Sequence, residues 1–586
     1  MRKLFRYLDW KEKGMAALGV LFVVAQVWLD LKMPEYMSAI TILVETPGSE
    51  IRRILENGGY MLACALGSML AAIVTGFFAA KVAASLSLKL RDQMFQKVMG
   101  FYNEELGRFS TASLITRSTN DITQVQMLVA MGLQIITKTP IMMVWGISKF
   151  IGKQWAWSAA TAGAVLLITA VILTVAVLVL PRFKVIQRLT DDLNRVTREN
   201  LTGLRVIRAY NAEHFQQAKF ERVNGALTGT NLFANRVMGL LMPTMTFIIS
   251  GISLAIYWIG AYFIDRAGGM DRLTVFSDMV VFSQYALQVI MAFAMMTVMI
   301  VMLPRVMVSV HRINEVLGTK VRIQNGGYDK AADGTGVGVE FRHVSFRYPG
   351  AGGDVLHDIS FTAKPGETVA LIGATGSGKT SLVDLIPRFY DACSGEVLVN
   401  GVNVRDYEIH ALREKIGYVS QKAVLFSGSV ASNVALGRDD VEREAVSDAI
   451  RTSQSSGFVG RMSGGLDARI ARGGVNVSGG QRQRLSIARA VCKKPGVYIF
   501  DDSFSALDYQ TDQLLRQALE EQSAGATKLI VAQRIGTIRH ADQIIVLEDG
   551  RIAGRGTHGE LLKTCPAYQE IARSQLTEEE LAHESQ

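Results

Sequence analysis

The residues best suited to chemistry lie in the C-terminal half. In TVALIGATGSGKTSL an apolar strand, Val369–Ile372, feeds Gly373, Ala374, Thr375, Gly376, Ser377, Gly378, Lys379, Thr380 and Ser381. This fits the spacing G-x-x-x-x-G-K-[ST] between a strand and a helix. Glycines let the backbone curl until its N–H groups point at phosphate oxygens, and the dipole of the following helix adds to the attraction. Lys379 would reach the terminal phosphates, and the Thr380 hydroxyl would bind Mg²⁺. About 120 residues further on, VYIF ends in Asp501 and Asp502. An acid at the end of an apolar strand sits beside a nucleotide's magnesium, directly or through water, so Asp501 is the second metal-side residue.

Between these motifs lies VSGGQRQRLSIARA. Gly479 and Gly480 open a basic helix, with Ser478 at its capping position and Gln481 in its first turn. This is a second helix start that could face a phosphate. One nucleotide has no need of both within one chain. Two copies facing head to tail would use both, each Ser478 region closing over the other's phosphate loop.

These residues must be held by folded elements, and the chain's length of 586 residues calls for at least two domains. Hydrophobic residues make up 49% of it, and they are clumped. The runs Met61–Ala80, Ala156–Leu180, Val237–Ile264 and Met279–Pro304 carry no charge. At 1.5 Å per residue each is long enough to cross ~30 Å of hydrocarbon. Two more runs are interrupted, one by Asp30, Lys32 and Glu35 and one by Lys138. The six predicted spans cover about 15–38, 60–83, 127–151, 156–180, 237–264 and 279–304. Charges at membrane depth are costly and tend to face a cavity or one another. Asp30 and Lys32 therefore line a pathway, or else Asp30 lies near the outer interface. The sixth span is rich in methionine, which suits either varied apolar ligands or membrane packing.

The net charge of +9 does not call for nucleic acid. Arg2, Lys3, Arg6, Lys11 and Lys13 precede the first span, and Arg182, Lys184 and Arg188 follow the fourth. That asymmetry puts the N-terminus, and with it the C-terminal region that carries the phosphate loop, in the cytoplasm of a multi-pass cell-membrane protein. MRKLFRYLDWKEK reads as a short helix on the membrane surface rather than a cleaved signal. The four cysteines show no metal or disulfide spacing. After Pro304 the hydropathy drops and strand and turn signals begin. The predicted organisation is a transmembrane domain over 1–320, a linker over 321–337, a nucleotide-binding domain over 338–575 and a tail over 576–586.

The order of phosphate loop, YVSQ, VSGGQ, IFDD and SALD resembles the ATPase domain of ABC transporters. Six spans fused in front look like a half-transporter of the type IV, exporter-type fold. FSTASLITRSTNDI and LTGLRVIRAYNAE are similar to that family's segments near the coupling helices. The resemblance implies a multidomain fold: an all-α six-helix membrane domain, then an α/β P-loop (RecA-like) ATPase domain with antiparallel β and helical subdomains. It implies ATP and Mg²⁺ as cofactors and a second half-transporter as partner. Carried over, Tyr348 would stack on adenine and Gln421 would sense magnesium. Ser478, Gly479, Gly480 and Gln481 would contact the partner's ATP, and Asp508 would link the two sites.

Three positions depart from the family pattern. Asp502 stands where the usual base is glutamate, an arm one C–C bond longer. Unless a water or a small backbone shift restores reach, attack on the γ-phosphate suffers. Gln533 stands where the switch residue is histidine, and a glutamine cannot become a cation. Arg472 stands where a glutamate is usual ahead of VSGGQ. Two of the changes strike one chemical step while the binding elements stay intact. That pattern resembles the degenerate-site subunit of heterodimeric multidrug exporters. The expected function is ATP-driven export of hydrophobic or amphipathic small molecules, with weak or absent hydrolysis by this chain alone. Uptake of a metal-chelating molecule and an ATP-gated regulator remain as alternatives.

Overall fold

The computed structural model describes residues 7–46, 49–150, 155–268, 270–329, 337–438 and 440–576. They form two compact units, Met1–Met99 with Thr111–Thr319, and Gly100–Ser110 with Lys320–Gln586. Among the described residues ten α-helices precede the first strand: α1 (Trp10–Glu45), α2 (Ile51–Met99), α3 (Asn103–Arg108), α4 (Thr111–Thr116), α5 (Ile122–Ser148), α6 (Trp155–Thr202), α7 (Leu204–Ala209), α8 (Glu213–Gly239), α9 (Leu241–Arg266) and α10 (Met270–Gly318), with a π-helical turn, Arg117–Asp121, between α4 and α5.

Among the described residues six helices are long and apolar enough to cross a membrane, as the sequence predicts. Three run far beyond a bilayer's thickness, α2 and α10 with 49 residues each and α6 with 48. Each continues into a charged stretch of the sequence. Pro34, Pro140 and Pro181 lie inside α1, α5 and α6. Membrane helices tolerate such residues because neighbours can satisfy the freed carbonyls. Small residues sit where helices meet: Ala71, Ala79 and Ala83 are buried on α2. At Gly260 of α9 a Cβ would lie 2.3 Å from the Met279 sulfur of α10, so a side chain there would push Met279 aside. Leu21, Leu62, Phe247 and Trp258 are exposed, as lipid-facing side chains must be. Most of the basic surface helix expected over 1–13 lies outside the described residues or in α1, which starts at Trp10.

The second unit is built on a six-stranded sheet. From edge to edge it runs Arg551–Gly556, Gln543–Glu548, Thr368–Ile372, Thr527–Val531, Val497–Asp501 and Ile416–Val419. All neighbours pair in parallel except the first two. Val497–Asp501 and Thr527–Val531 are buried along their whole length, because helices and a second sheet cover both faces. A four-stranded antiparallel sheet of Leu356–Ala363, Val339–Phe346, Ser394–Val399 and Val402–Asn403 lies beside it. Helices Arg443–Thr452 and Gly479–Lys493 pack together as a helical part. The short α3 belongs to this unit. The Arg413 guanidinium lies 5.4 Å from the Tyr102 ring, and the Arg322 N–H donates to Glu105 Oε1 at 3.0 Å.

Candidate functional site

The phosphate loop leaves the buried end of strand Thr368–Ile372. Gly373 turns it at φ +155°, where a Cβ would lie 2.1 Å from the Leu547 carbonyl oxygen. Gly378, at φ +98°, leaves 2.7 Å between such a Cβ and Leu356. Both positions exclude a side chain, and the curl they allow defines the site. Lys379 is 8% exposed, and its ammonium donates to the carbonyls of Gly373 at 2.8 Å and Ala374 at 2.7 Å. Burial pushes its pKa down, while Asp502 and Asp501 push it back up.

The Thr380 hydroxyl donates to Asp501 Oδ1 at 3.0 Å. Asp501 is 2% exposed, and its burial raises the carboxyl pKa against that hydrogen bond. A hydroxyl, a carboxylate and the Gln421 amide together offer hard oxygen donors. Such a set fits Mg²⁺, which takes few protein ligands when substrate phosphates supply the rest. A cavity of about 340 Å³ joins these groups to Tyr348, Thr375, Gly376, Ser381, Asp502 and Gln533. The Tyr348 hydroxyl is 2.8 Å from that of Ser381, and its ring stands edge-on to Tyr390.

Asp502 adopts φ +47°, a left-handed conformation that aspartate tolerates better than most residues. Its N–H donates to the Val531 carbonyl at 3.0 Å. Its Oδ2 accepts from Gln533 Nε2 at 2.9 Å and lies 3.4 Å from Gln421 Nε2. Two side-chain amides thus converge on one carboxylate oxygen. The switch segment is itself held from behind. Gln575 donates to the Gln533 carbonyl at 2.7 Å and accepts from the Ile535 N–H at 2.9 Å.

The other predicted residues lie apart. Ser478, Gly479, Gly480 and Gln481 do not line this cavity. Ser478 Oγ accepts from the Gln481 N–H at 3.3 Å, and Gln481 Oε1 accepts from the Ser478 N–H at 3.0 Å, a reciprocal cap on helix Gly479–Lys493. Asp508 caps helix Tyr509–Gln522 through the Thr511 N–H at 2.9 Å. Arg472 starts a single tight turn, Arg472–Gly474.

Three residues at the site escaped the sequence analysis. Asp384 ends the helix Lys379–Asp384 and accepts from the Tyr418 hydroxyl at 2.9 Å. Burial raises its pKa to about 6, with Asp501 adding to the shift. Tyr418 stands in the YVSQ motif, whose tyrosine could have prompted a search for an acid. Gln575 had no local signal, since only folding carries it to the switch.

The chain matches the ABC transporter transmembrane region over residues 17–307 and the ABC transporter domain over residues 356–505. It is 41% identical over 532 residues to an uncharacterized ABC transporter ATP-binding protein of Mycobacterium tuberculosis, covering 89% of each chain. An ATP-dependent lipid A-core flippase of Pseudomonas fluorescens is 30% identical over 487 residues, 83% of this chain and 80% of that one. A solved bacterial Atm1-family ABC exporter with ATP bound superposes with a TM-score of 0.79 at 23% identity, covering 97% of this chain and 100% of the other. At that identity the match speaks to fold.

Proposed function

This chain belongs to the ABC transporter family and is an ATP-driven translocase, and we propose that it works as one half of a heterodimer whose ATP site on this chain holds nucleotide but turns it over poorly. The observation that carries the proposal is the hydrogen bond from Gln533 Nε2 to Asp502 Oδ2 at 2.9 Å. A base for hydrolysis must reach a water in line with the γ-phosphate. Asp502 is a short arm, and one of its oxygens already receives a protein amide. The residue that engages it carries no positive charge to offer the developing transition state.

The rest of the pocket is furnished for binding. Gly373, Gly376 and Gly378 shape the loop, Lys379 and Thr380 address the phosphates, and Asp501 with Gln421 complete the oxygen set for Mg²⁺. ATP bound there would bring phosphate charge to the loop's N–H groups, and Mg²⁺ would neutralise part of it. Tyr348, on the pocket wall, would stack on the base. Ser478 to Gln481, outside this pocket, are free of a role in it and suit the partner's ATP. Asp508, which caps helix Tyr509–Gln522, would link the two sites as the family resemblance implies.

Tight ATP binding alone favours the closed dimer, because a ligand shifts an equilibrium by its differential affinity. A poorly hydrolysing site therefore still contributes to the cycle. The lipid A-core flippase among the relatives supports an amphipathic cargo, and export is the direction proposed for it. The protein would sit in the cell membrane with its ATPase domain in the cytoplasm.

The test is phosphate release by the full chain alone in liposomes. Turnover far below 1 s⁻¹ is expected, and steady turnover in the ordinary enzyme range of ~1–10 s⁻¹ would overturn the proposal.

A further inference from the structure

The membrane unit holds a cavity of about 560 Å³ between α1, α2, α5 and α10. That volume suits a drug-sized ligand. Its wall contains an ion pair, Lys138 Nζ to Asp30 Oδ2 at 3.0 Å. The two partners are not equally available. Asp30 has a side-chain exposure of 14%, and its other oxygen accepts from the Ser68 hydroxyl. Lys138 is 35% exposed, and one of its three N–H bonds suffices for Asp30. The charged group with hydrogen bonds left to give the cavity is therefore a cation. Lys32, by contrast, pairs with Glu35 at 2.6 Å and lies outside the cavity wall.

Two further groups on this wall lack partners among the described residues. Thr75 is 1% exposed, and its hydroxyl makes no hydrogen bond. Gln288 gives its amide N–H to the Asp30 carbonyl at 3.4 Å, while its buried Oε1 accepts nothing. An unmade hydrogen bond is costly in an apolar setting, so such atoms mark where a ligand or water belongs. Gln288 Oε1 requires a donor. Met33, Met142, Met291 and Met295 line the remainder and adapt to varied alkyl shapes.

We infer that this cavity binds an amphipathic cargo whose head carries an anionic oxygen group for Lys138 beside an N–H or O–H donor for Gln288 and Thr75, with its alkyl part along the methionines. The inference rests on the translocase reading and names its cargo class. It disfavours lipophilic cations, because the only acid on the wall is already covered by Lys138 and Ser68.

The experiment titrates the full chain in lipid nanodiscs without nucleotide, subtracting empty nanodiscs. The probes are N-decanoyl-serine, its uncharged serinamide and decyltrimethylammonium, all below their micellar concentrations. The acid should bind about tenfold more tightly than the amide, the range of one charge-assisted hydrogen bond. The cation should not saturate. The uncharged double variant Asp30→Asn with Lys138→Gln avoids a lone buried charge and should bind acid and amide within twofold. Thr75→Val, which keeps the shape, should weaken both about fivefold. No saturable binding by any probe, equal affinity for acid and amide, tighter binding of the cation, or a tenfold preference surviving in the double variant would each overturn the inference. Because nucleotide is absent, such a result leaves the hydrolysis reading untouched. Fast turnover by the chain alone would equally leave this cavity's chemistry standing.

Discussion

Changing Asp502 to glutamate and Gln533 to histidine together should turn the pocket on this chain from holding ATP to hydrolysing it. The magnitude follows from geometry. A methylene extends the carboxylate by roughly 1.5 Å, and a misplacement of about 1 Å can cost ~10²-fold. Asp502→Glu alone should gain less than about tenfold, because the Gln533 amide, now 2.9 Å from Oδ2, still engages the carboxylate. Gln533→His removes that donor and adds a group able to carry charge towards the γ-phosphate, a contribution of order 10²-fold. The two act on one step and are not additive, so the pair should raise turnover ~10²- to 10³-fold. The assay is single-turnover release of labelled γ-phosphate by the full paired transporter, with the partner's catalytic base replaced so that only this site reports. Glutamate at φ +47° carries backbone strain of about 1 kcal/mol, which a melting curve reads separately. A double variant that folds, binds ATP and stays within threefold of the parent would refute the reasoning.

Asp384 predicts a pH dependence of stability. Its carboxyl is raised from 3.8 to about 6, so the folded chain holds the proton more tightly than the unfolded one. Below pH 3.8 both forms are protonated and nothing is lost. As the pH rises towards 6 the unfolded chain ionises first, and stability falls by about 3 kcal/mol in total. Asp384→Asn should remove that slope, leaving the variant's advantage near zero at low pH and full above pH 6. Parallel melting curves of the ATPase unit would contradict it. Gly373→Ala should abolish ATP binding, since its Cβ would lie 2.1 Å from the Leu547 carbonyl oxygen at a backbone angle costing ~3 kcal/mol. Nucleotide titration of the full chain checks this, and a near-normal Kd would show that the loop has another way to curl.

The phosphate-loop half of the candidate site was legible because its residues are contiguous. Gly373 to Thr380 form one turn, and a turn's backbone and side chains are specified within its own residues. The six membrane helices were legible for a similar reason, since hydrocarbon demands an uninterrupted apolar run. The Asp502–Gln533 bond was not. The sequence marks both residues as unusual, yet they are brought together by parallel pairing of Val497–Asp501 with Thr527–Val531, which sets Asp501 opposite Val531. The Gln575 clamp on the switch and the Tyr418 hydroxyl on Asp384 arise in the same way, from elements far apart in the chain.

Asp30 and Lys138 divide the two kinds of information most clearly. Their presence within apolar runs was plain from residue types, because a charge in hydrocarbon is expensive wherever its helix lies. That they pair across α1 and α5, that Lys138 keeps hydrogen bonds to give, and that Thr75 and Gln288 share the same cavity depend on which helix faces touch. The sequence by itself determined the family, the phosphate loop and the number of membrane crossings, all set by local composition and spacing. The tertiary structure alone decided what each unusual residue meets, because helix packing and strand register are fixed by the whole chain's burial.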